Sequence, residues 1–179
     1  MPIENERLTL VSAHYWAGLA TLIFSSSRGP LDPGRRSSNQ QGVSECRVIY
    51  TGTTNTIGGR DGASRSSDGR LDVKLSPPGS AGSGTNPEQL FAAGWSACFL
   101  GAIGRAAAER QLRVPADAAI NTEIDLVSND DGYVLQARLN VRLPGIAADL
   151  AKSLIESAHQ LCPYSKATRG NIAVELNVA

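Results

Sequence analysis

The sequence has no net charge and few cysteines, and both shortages narrow the possible functions. Among 179 residues, 17 lysines and arginines balance 17 aspartates and glutamates. Because no excess of positive charge is available to attract phosphate groups, we expect neither a nucleic-acid partner nor an anionic membrane surface. Three cysteines are too few for a disulfide framework, and no Cys-x-x-Cys pair offers a zinc knuckle or a thioredoxin-type site. These features favour a cytoplasmic protein whose partner is a small molecule or another protein.

Metal ligands are also scarce in this chain. His159 and Cys162 are three positions apart and can share one helix face, but no third or fourth ligand accompanies them. We therefore expect no metal site, and we interpret His159 as a structural hydrogen-bonding residue near a helix end.

The first 45 residues differ from the rest. An uncharged run from Leu8 to Ser27 is interrupted by polar residues and preceded by two glutamates and one arginine, a poor start for a signal peptide. Its length lies at the lower edge of what spans a bilayer, which argues against a membrane role. Residues 25–45 are rich in Ser, Gly, Pro, Arg and Gln and lack the apolar side chains that offset ordering entropy. We predict an accessory, flexible extension over residues 1–45 and a folded domain over residues 46–179.

The most informative element of that domain is a long apolar helix. Asn86 can cap it, Pro87 suits its first position, and Gln89 is placed for the reciprocal contact of a capping box. The helix is predicted to run to Gln111. It carries no charge between Gln89 and Arg105, which suits a helix buried on nearly every side.

Each of the other segments shows either strand or helix periodicity. A second helix is predicted from Ile146 to Leu161, where Pro163 stops it. Short connections favour antiparallel pairing, so we predict an α+β fold with antiparallel sheets packed around a long buried central helix. The predicted strands include Val48 and Tyr50, Leu71 to Leu75, Ile120 to Leu126, Tyr133 to Leu143, and Ile172 to Val178.

Cys98, in the middle of the long helix, is the candidate nucleophile. A thiol attacks only as the thiolate. Cys98 lies too far from the helix start for the macrodipole to help, and its apolar neighbours raise its pKa. It therefore needs a nearby cation, and Arg60 in Gly58-Gly59-Arg60-Asp61-Gly62 is the best candidate. A buried guanidinium needs a partner, for which Glu88 is the nearest plausible carboxylate.

Helix geometry constrains this hypothesis. Glu88 and Cys98 are ten positions apart, roughly 15 Å along a straight helix. Either Arg60 spans that gap, or the site is shared between two chains. The second arrangement predicts a homodimer in which Arg60 and Glu88 of one subunit act with Cys98 of the other.

Cys162 suggests a division of labour between two thiols. At the end of a helix, where the dipole disfavours a thiolate, it is expected to stay protonated. Cys98 would then attack a peroxide and become a sulfenic acid, and Cys162 would condense with it to a disulfide. The alternative is that both are inert, because free cysteines are among the most buried residue types.

Four segments together resemble the organic hydroperoxide resistance (Ohr) branch of the OsmC/Ohr family. They are Gly58-Gly59-Arg60-Asp61-Gly62, residues 67–75 (SDGRLDVKL), residues 84–99 (GTNPEQLFAAGWSACF) and residues 158–172 (AHQLCPYSKATRGNI). The resemblance extends from about residue 47 to residue 179. It implies an intertwined α+β homodimer that reduces alkyl and fatty-acid hydroperoxides, with no bound cofactor, and that is re-reduced by an external dithiol, dihydrolipoamide or a lipoylated enzyme.

The resemblance also assigns roles. It places the peroxidatic cysteine at Cys98, the resolving cysteine at Cys162, and the site's arginine and glutamate at Arg60 and Glu88. An apolar wall for the organic substrate is suggested at three further positions, which are Leu90, Phe91 and Phe99.

The chain departs from the family pattern in its N-terminal extension, in Trp95, where a tyrosine is usual, and in Cys46, an extra thiol that we interpret as incidental. Two alternative functions stay open. One is a general OsmC-type osmotically inducible peroxidase. The other is a non-catalytic, thiol-bearing protein that binds lipid or senses stress.

Overall fold

The computed structural model describes residues 47–179. The predicted extension over residues 1–45, its uncharged run and Cys46 lie outside the described residues. In chain order, the elements are β1 (Thr54–Ile57), a short 3-10 turn (Gly59–Asp61), β2 (Ala63–Ser66), β3 (Asp72–Lys74), α1 (Pro87–Ala108), β4 (Ala119–Asn129), β5 (Gly132–Arg142), α2 (Ala148–Leu161), α3 (Pro163–Thr168) and β6 (Ala173–Val178).

Two three-stranded sheets accompany the helices, which confirms the α+β class. The first has the order β1-β2-β3 with antiparallel pairing. In the second, of order β4-β5-β6, β4 and β5 are antiparallel but β5 and β6 are parallel. The prediction of wholly antiparallel sheets is therefore wrong for β6. Because α2 and α3 lie between β5 and β6 in the chain, they carry it back across the sheet, and such a crossover returns a strand in the parallel direction.

The N-terminus of α1 agrees with the prediction. Asn86 Oδ1 accepts a hydrogen bond from the Gln89 backbone N–H at 2.8 Å, and Pro87 is the first helical residue. The reciprocal half of the capping box is absent, because the Gln89 side chain instead accepts from Thr85 Oγ1 at 2.8 Å. The helix ends at Ala108, three residues before the predicted Gln111.

One face of α1 forms the core with α2 and the second sheet. Trp95, Phe99 and Ile103 are fully buried there, packed with the inward residues of β5 and with α2. Burying each such side chain contributes about 1.5–3 kcal/mol. Among the described residues, α1 is the one helix long and apolar enough to cross a membrane, and these contacts make it the domain's core helix. The remaining core members are Ala102, Ala106, Ala107, Ala137, Leu139, Val141, Leu143, Ala151, Leu154, Ile155, Ala158 and Cys162.

The prediction that α1 is buried on nearly every side is wrong for this single chain. Ala93, Ala97 and Gly101 are exposed along one side of the helix. The first sheet is also poorly covered, since Ser64 is the one buried residue in its three strands.

The predicted strand at Val48 and Tyr50 is not formed either. These residues have no regular structure and are 80% and 81% exposed, and Ile49 between them is 92% exposed. Apolar alternation favours a strand only where a neighbouring strand supplies the ladder hydrogen bonds. None does so at this segment within the described chain.

Candidate functional site

Two cysteines meet where three helices converge. Cys98 comes from the middle of α1, and Cys162 lies at the junction of α2 and α3. Their sulfurs are 3.2 Å apart, and both thiols are free. A disulfide places its sulfurs about 2.05 Å apart, so closing this bond requires a movement of roughly 1 Å. Cys162 is fully buried, whereas Cys98 is partly exposed.

The junction of α2 and α3 differs from the prediction, and the difference changes the electrostatic surroundings of Cys162. Pro163 was expected only to stop α2, but it is also the first residue of α3, a position that proline favours. Cys162 is therefore both the C-cap of α2 and the N-cap of α3. The predicted placement at a helix C-terminus describes half of its environment, because the first turn of another helix starts directly after it.

That first turn supplies a donor to the nucleophile. Burial raises the pKa of the Cys98 thiol, the backbone N–H of Tyr164 lowers it by hydrogen bonding, and Cys162 raises it. The N–H groups of a first helical turn have no intrahelical acceptor, so Tyr164 can donate to sulfur at no cost to α3. This effect of the Tyr164 backbone was not predicted from the sequence. Proline directly after Cys162 was the signal that could have revealed it.

Side chains on α1 hold α3 in place. The Trp95 indole Nε1 donates to Ser165 Oγ at 3.2 Å, and both residues are fully buried. Phe91 packs at a tilt against both Trp95 and Tyr164, with ring centroids 5.3 and 6.1 Å away. A Cβ on Gly94 would stand only 3.0 Å from the Tyr164 hydroxyl oxygen, so a residue without a side chain lets α3 approach closely.

A second group of polar residues lies at the N-terminal end of α1. Arg60, in the 3-10 turn after β1, donates two hydrogen bonds to Glu88, from Nη1 to Oε2 at 3.0 Å and from Nη2 to Oε1 at 2.6 Å. Gly58 and Gly59 have φ of 73° and 59°, which glycine adopts without strain, and a side chain on Gly62 would overlap the Ile57 carbonyl oxygen.

The pair is a charge-assisted, bidentate contact. Its hydrogen bonds hold the pKa of Glu88 below its usual value and raise the pKa of Arg60. The Glu88 side chain is 11% exposed, and that of Arg60 is 48% exposed. The guanidinium is therefore anchored on one side and open on the other.

Within this chain, the Arg60–Glu88 pair does not reach the cysteines. Ten helical positions separate Glu88 from Cys98 by roughly 15 Å along the axis and roughly 80° around it. Across residues 47–179, Arg60 is not among the groups that shift the pKa of Cys98. Of the two arrangements considered from the sequence, the one in which Arg60 spans the gap is not formed in the single chain.

Two hollows lie beside the Arg60–Glu88 pair. One, of about 370 Å³, is lined by Arg60, Pro78, Leu126 and Tyr133. The other, of about 520 Å³, shares Pro78 and Leu126 with it and contacts Glu88; its further lining residues are Asn86, Gln89, Ala92, Thr122, Ile124 and Asp125.

The three residues suggested as a substrate wall line neither hollow. Phe99 is fully buried in the core, Phe91 packs against Trp95 and Tyr164, and Leu90 is half-buried. Leu126 and Tyr133, which are 44% and 77% exposed, were identified only as strand residues. The signal that could have identified them as lining residues is an apolar side chain near a strand end, beside a turn.

His159 also differs from its interpretation as a hydrogen-bonding residue. Its Nδ1 is buried and has no hydrogen-bond partner among the described residues, and its ring lies 6.5 Å from that of Phe99. Burial, and then the charge of Arg169, lower the pKa of this imidazole. Within residues 47–179, no group of three potential metal-ligating side chains is present.

The fold and the cysteine pair together define an α+β domain with two apposed thiols, one of them on a core helix. Comparison with known proteins makes this class specific: residues 79–177 match the family of OsmC-like proteins, and the chain belongs to that family.

Its relatives include organic hydroperoxide resistance proteins, which confirms the resemblance seen in the sequence. The chain is 44% identical, over 137 residues, to the organic hydroperoxide resistance protein of Xanthomonas axonopodis pv. citri, with 74% of this chain and 96% of the relative covered. It is 38% identical to the crystal structure of OhrB from Bacillus subtilis, with a TM-score of 0.70 and 74% and 100% of the two chains covered.

A third relative shows a ligand. It is a crystal structure from Vibrio cholerae, described as a putative organic hydroperoxide resistance protein with captopril bound in one of the active sites. It is 36% identical to this chain, with a TM-score of 0.69, and the match covers 74% of this chain and 93% of that one.

Proposed function

We propose that this protein is a thiol peroxidase that reduces organic hydroperoxides, such as alkyl and fatty-acid hydroperoxides, to alcohols in defence against oxidative stress. The observation that carries the proposal is the contact of 3.2 Å between the Cys98 and Cys162 sulfurs, at the start of α3. Relatives named for organic hydroperoxide resistance, similar over nearly their whole length, support it.

In the proposed reaction, the Cys98 thiolate attacks the terminal oxygen of the hydroperoxide. A sulfur–oxygen bond forms, the oxygen–oxygen bond breaks, and the alkoxide leaves as the alcohol after taking up a proton. The Cys162 thiol then attacks the sulfenic acid sulfur. A disulfide forms and water leaves.

An external dithiol completes the cycle. It reduces the Cys98–Cys162 disulfide by thiol–disulfide exchange and becomes oxidised itself, and we propose dihydrolipoamide or a lipoylated protein in this role. No bound cofactor is required. A reducing cytoplasm suits a cycle that begins with two free thiols.

The proposed active unit is a homodimer in which Arg60 and Glu88 of one subunit face Cys98 and Cys162 of the other. Three observations support a second copy. The Arg60–Glu88 pair is remote from Cys98 in the single chain. The small-residue side of α1 at Ala93, Ala97 and Gly101 is uncovered, and so is the apolar segment 48–50. Burial of apolar surface of this kind drives association.

In that assembly, Arg60 would stabilise the Cys98 thiolate and polarise the peroxide, while Glu88 holds the guanidinium. An organic substrate suits the hollows beside the pair, because Pro78, Ile124, Leu126 and Tyr133 supply apolar surface. The captopril seen in the Vibrio cholerae relative is also a small organic molecule.

The test is consumption of tert-butyl hydroperoxide with dihydrolipoamide as reductant, by the full-length protein and by Cys98→Ser and Arg60→Ala. We expect fast turnover that either substitution abolishes, and slower turnover with hydrogen peroxide. Equal turnover with hydrogen peroxide would favour the general OsmC-type activity. No turnover by the folded, reduced protein would contradict the proposal and favour a binding or sensing role.

A further inference from the structure

A buried hydrogen bond joins α1, which carries Cys98, to α3, which begins directly after Cys162. Trp95 Nε1 donates to Ser165 Oγ at 3.2 Å, and neither residue is exposed. Trp95 precedes Cys98 by three residues on α1, and Ser165 follows Cys162 by three at the start of α3. The bond therefore lies about one helical turn from each sulfur.

We propose that the Trp95–Ser165 hydrogen bond is a positioning contact that sets how fast Cys162 captures the Cys98 sulfenic acid, and so how often Cys98 is overoxidised. This inference rests on the proposed peroxidase function. Neither residue touches the substrate or the reacting atoms, and both act through the placement of α3.

The placement matters because the two fates of a sulfenic acid depend on different quantities. Attack by Cys162 forms the sulfur–sulfur bond, breaks the sulfur–oxygen bond and releases water, with the proton supplied by the thiol. This step is intramolecular, and its rate depends on how well the two sulfurs are aligned. Attack by the sulfenate sulfur on a second hydroperoxide forms another sulfur–oxygen bond, breaks the oxygen–oxygen bond and releases alcohol, leaving a sulfinic acid. That step depends on peroxide concentration.

The Trp95–Ser165 bond fixes α3 on α1 within one turn of the two residues of the junction that lie nearest to Cys98. Cys162 is the N-cap of α3, and Tyr164, whose backbone lowers the pKa of Cys98, lies in its first turn. α3 has only six residues, and among the described side chains Trp95–Ser165 is the hydrogen bond that ties it to α1, beside the packing of Tyr164 on Phe91. Loosening it by a fraction of an ångström would change the 3.2 Å separation of the sulfurs directly.

Because the hydrogen bond is buried, substitutions at its two residues can distinguish a positioning role from a merely structural one. Trp95→Phe removes the donor and leaves the Ser165 hydroxyl without it, and Ser165→Ala leaves a buried indole N–H without an acceptor. Unpaired buried groups destabilise a fold, and removing both partners together avoids that penalty, but Trp95→Phe also leaves a cavity where the buried indole was. The double variant keeps that cavity but has no unpaired group, so it is expected to be no less stable than Trp95→Phe, although the hydrogen bond between α1 and α3 is still absent.

The experiment oxidises the reduced, full-length wild type, both single variants and the double variant with increasing tert-butyl hydroperoxide. Intact mass measurement then gives the ratio of sulfinic acid to disulfide, and thermal unfolding gives stability. We expect the ratio to rise about fivefold in each single variant, as loss of one hydrogen bond suggests, and to stay raised in the double variant although its melting temperature is no lower than that of Trp95→Phe.

Ser96→Ala is the matched control. Ser96 follows Trp95 on α1 and makes the same kind of tie to a different element, since its Oγ lies 2.8 Å from Thr122 Oγ1 on β4. We expect a wild-type ratio for this variant.

Three results would overturn the inference. One is an unchanged ratio in Ser165→Ala, the variant that loses a single oxygen atom and is least able to disturb folding. Another is a ratio of sulfinic acid to disulfide that rises across the variants only in step with the fall in melting temperature, because that would show a structural role alone. Absence of any Cys98 oxidation in the wild type would instead refute the proposed peroxidase, and this inference with it.

Discussion

A site shared between subunits makes a quantitative prediction about mixed dimers. One chain carries Cys98→Ser and the other carries Arg60→Ala, so each homodimer lacks one essential group in both of its sites. In a mixed dimer with shared sites, the intact Cys98 of one chain meets the intact Arg60 of its partner. The second site of that dimer carries both substitutions and is inactive.

The expected recovery follows from counting sites. Random pairing of equal amounts makes about half of all dimers mixed, and each has one working site of two. The sample should therefore show about a quarter of wild-type turnover, whereas the separate variants show almost none. The arrangement in the single chain supports this expectation, because Glu88 anchors Arg60 and roughly 15 Å of helix separates that carboxylate from Cys98.

The assay uses co-expressed chains with two different affinity tags, so that mixed dimers are purified through both tags before hydroperoxide consumption is measured. We expect about half of wild-type turnover in that pure fraction. Mixed dimers without activity would refute a site shared between subunits.

Three further outcomes follow from the geometry. Cys162→Ser should consume one equivalent of hydroperoxide to give the Cys98 sulfenic acid without a Cys98–Cys162 disulfide, and a second equivalent should convert it to the sulfinic acid seen by mass measurement; unimpaired turnover with dihydrolipoamide would contradict a resolving role. Glu88→Gln replaces a charged partner by a neutral one and should lower kcat/KM about tenfold, while Glu109→Gln, at the other end of α1, should leave it unchanged. His159→Gln should flatten the pH dependence of unfolding. Because the His159 pKa is lowered in the folded state, the unfolded chain takes up a proton first as pH falls below about 6.5, and the wild type loses stability there. Equal slopes in urea unfolding from pH 7.5 to 5.5 would show that His159 is not responsible.

Local signals in the sequence were reliable where the structure depends on local contacts. The cap of α1 forms as predicted because Asn86 and Pro87 need only the next helical turn to act. The long hairpin of β4 and β5 also forms where apolar and polar residues alternate. Asn129 lies opposite Gly132 at its turn, and every second residue is buried in the later part of β5.

The errors arose where distant segments decide the outcome. Parallel pairing of β6 depends on how two helices cross the sheet, and the exposure of Val48 and Tyr50 depends on whether another strand lies beside them. Pro163 ends one helix and begins the next, and only the first of these roles was predicted.

For the site, the chemistry of the residues predicted the Arg60–Glu88 and Cys98–Cys162 contacts. It did not predict how these two pairs lie relative to each other. Arg60 was expected to need a carboxylate, and the structure places Glu88 in that position. The Tyr164 donor was missed because it is a backbone group, which carries no residue type to recognise. Phe99 was suggested as part of an apolar wall for the substrate, but its direction on α1 buries it in the core.

The most direct test of the central claim is a single turnover. The reduced, full-length protein is mixed with one equivalent of an organic hydroperoxide and mapped by peptide mass spectrometry without reductant. We expect one equivalent of alcohol and one disulfide, joining Cys98 to Cys162. Alcohol formed without loss of these two thiols, or a disulfide that includes Cys46 instead, would contradict the proposed mechanism.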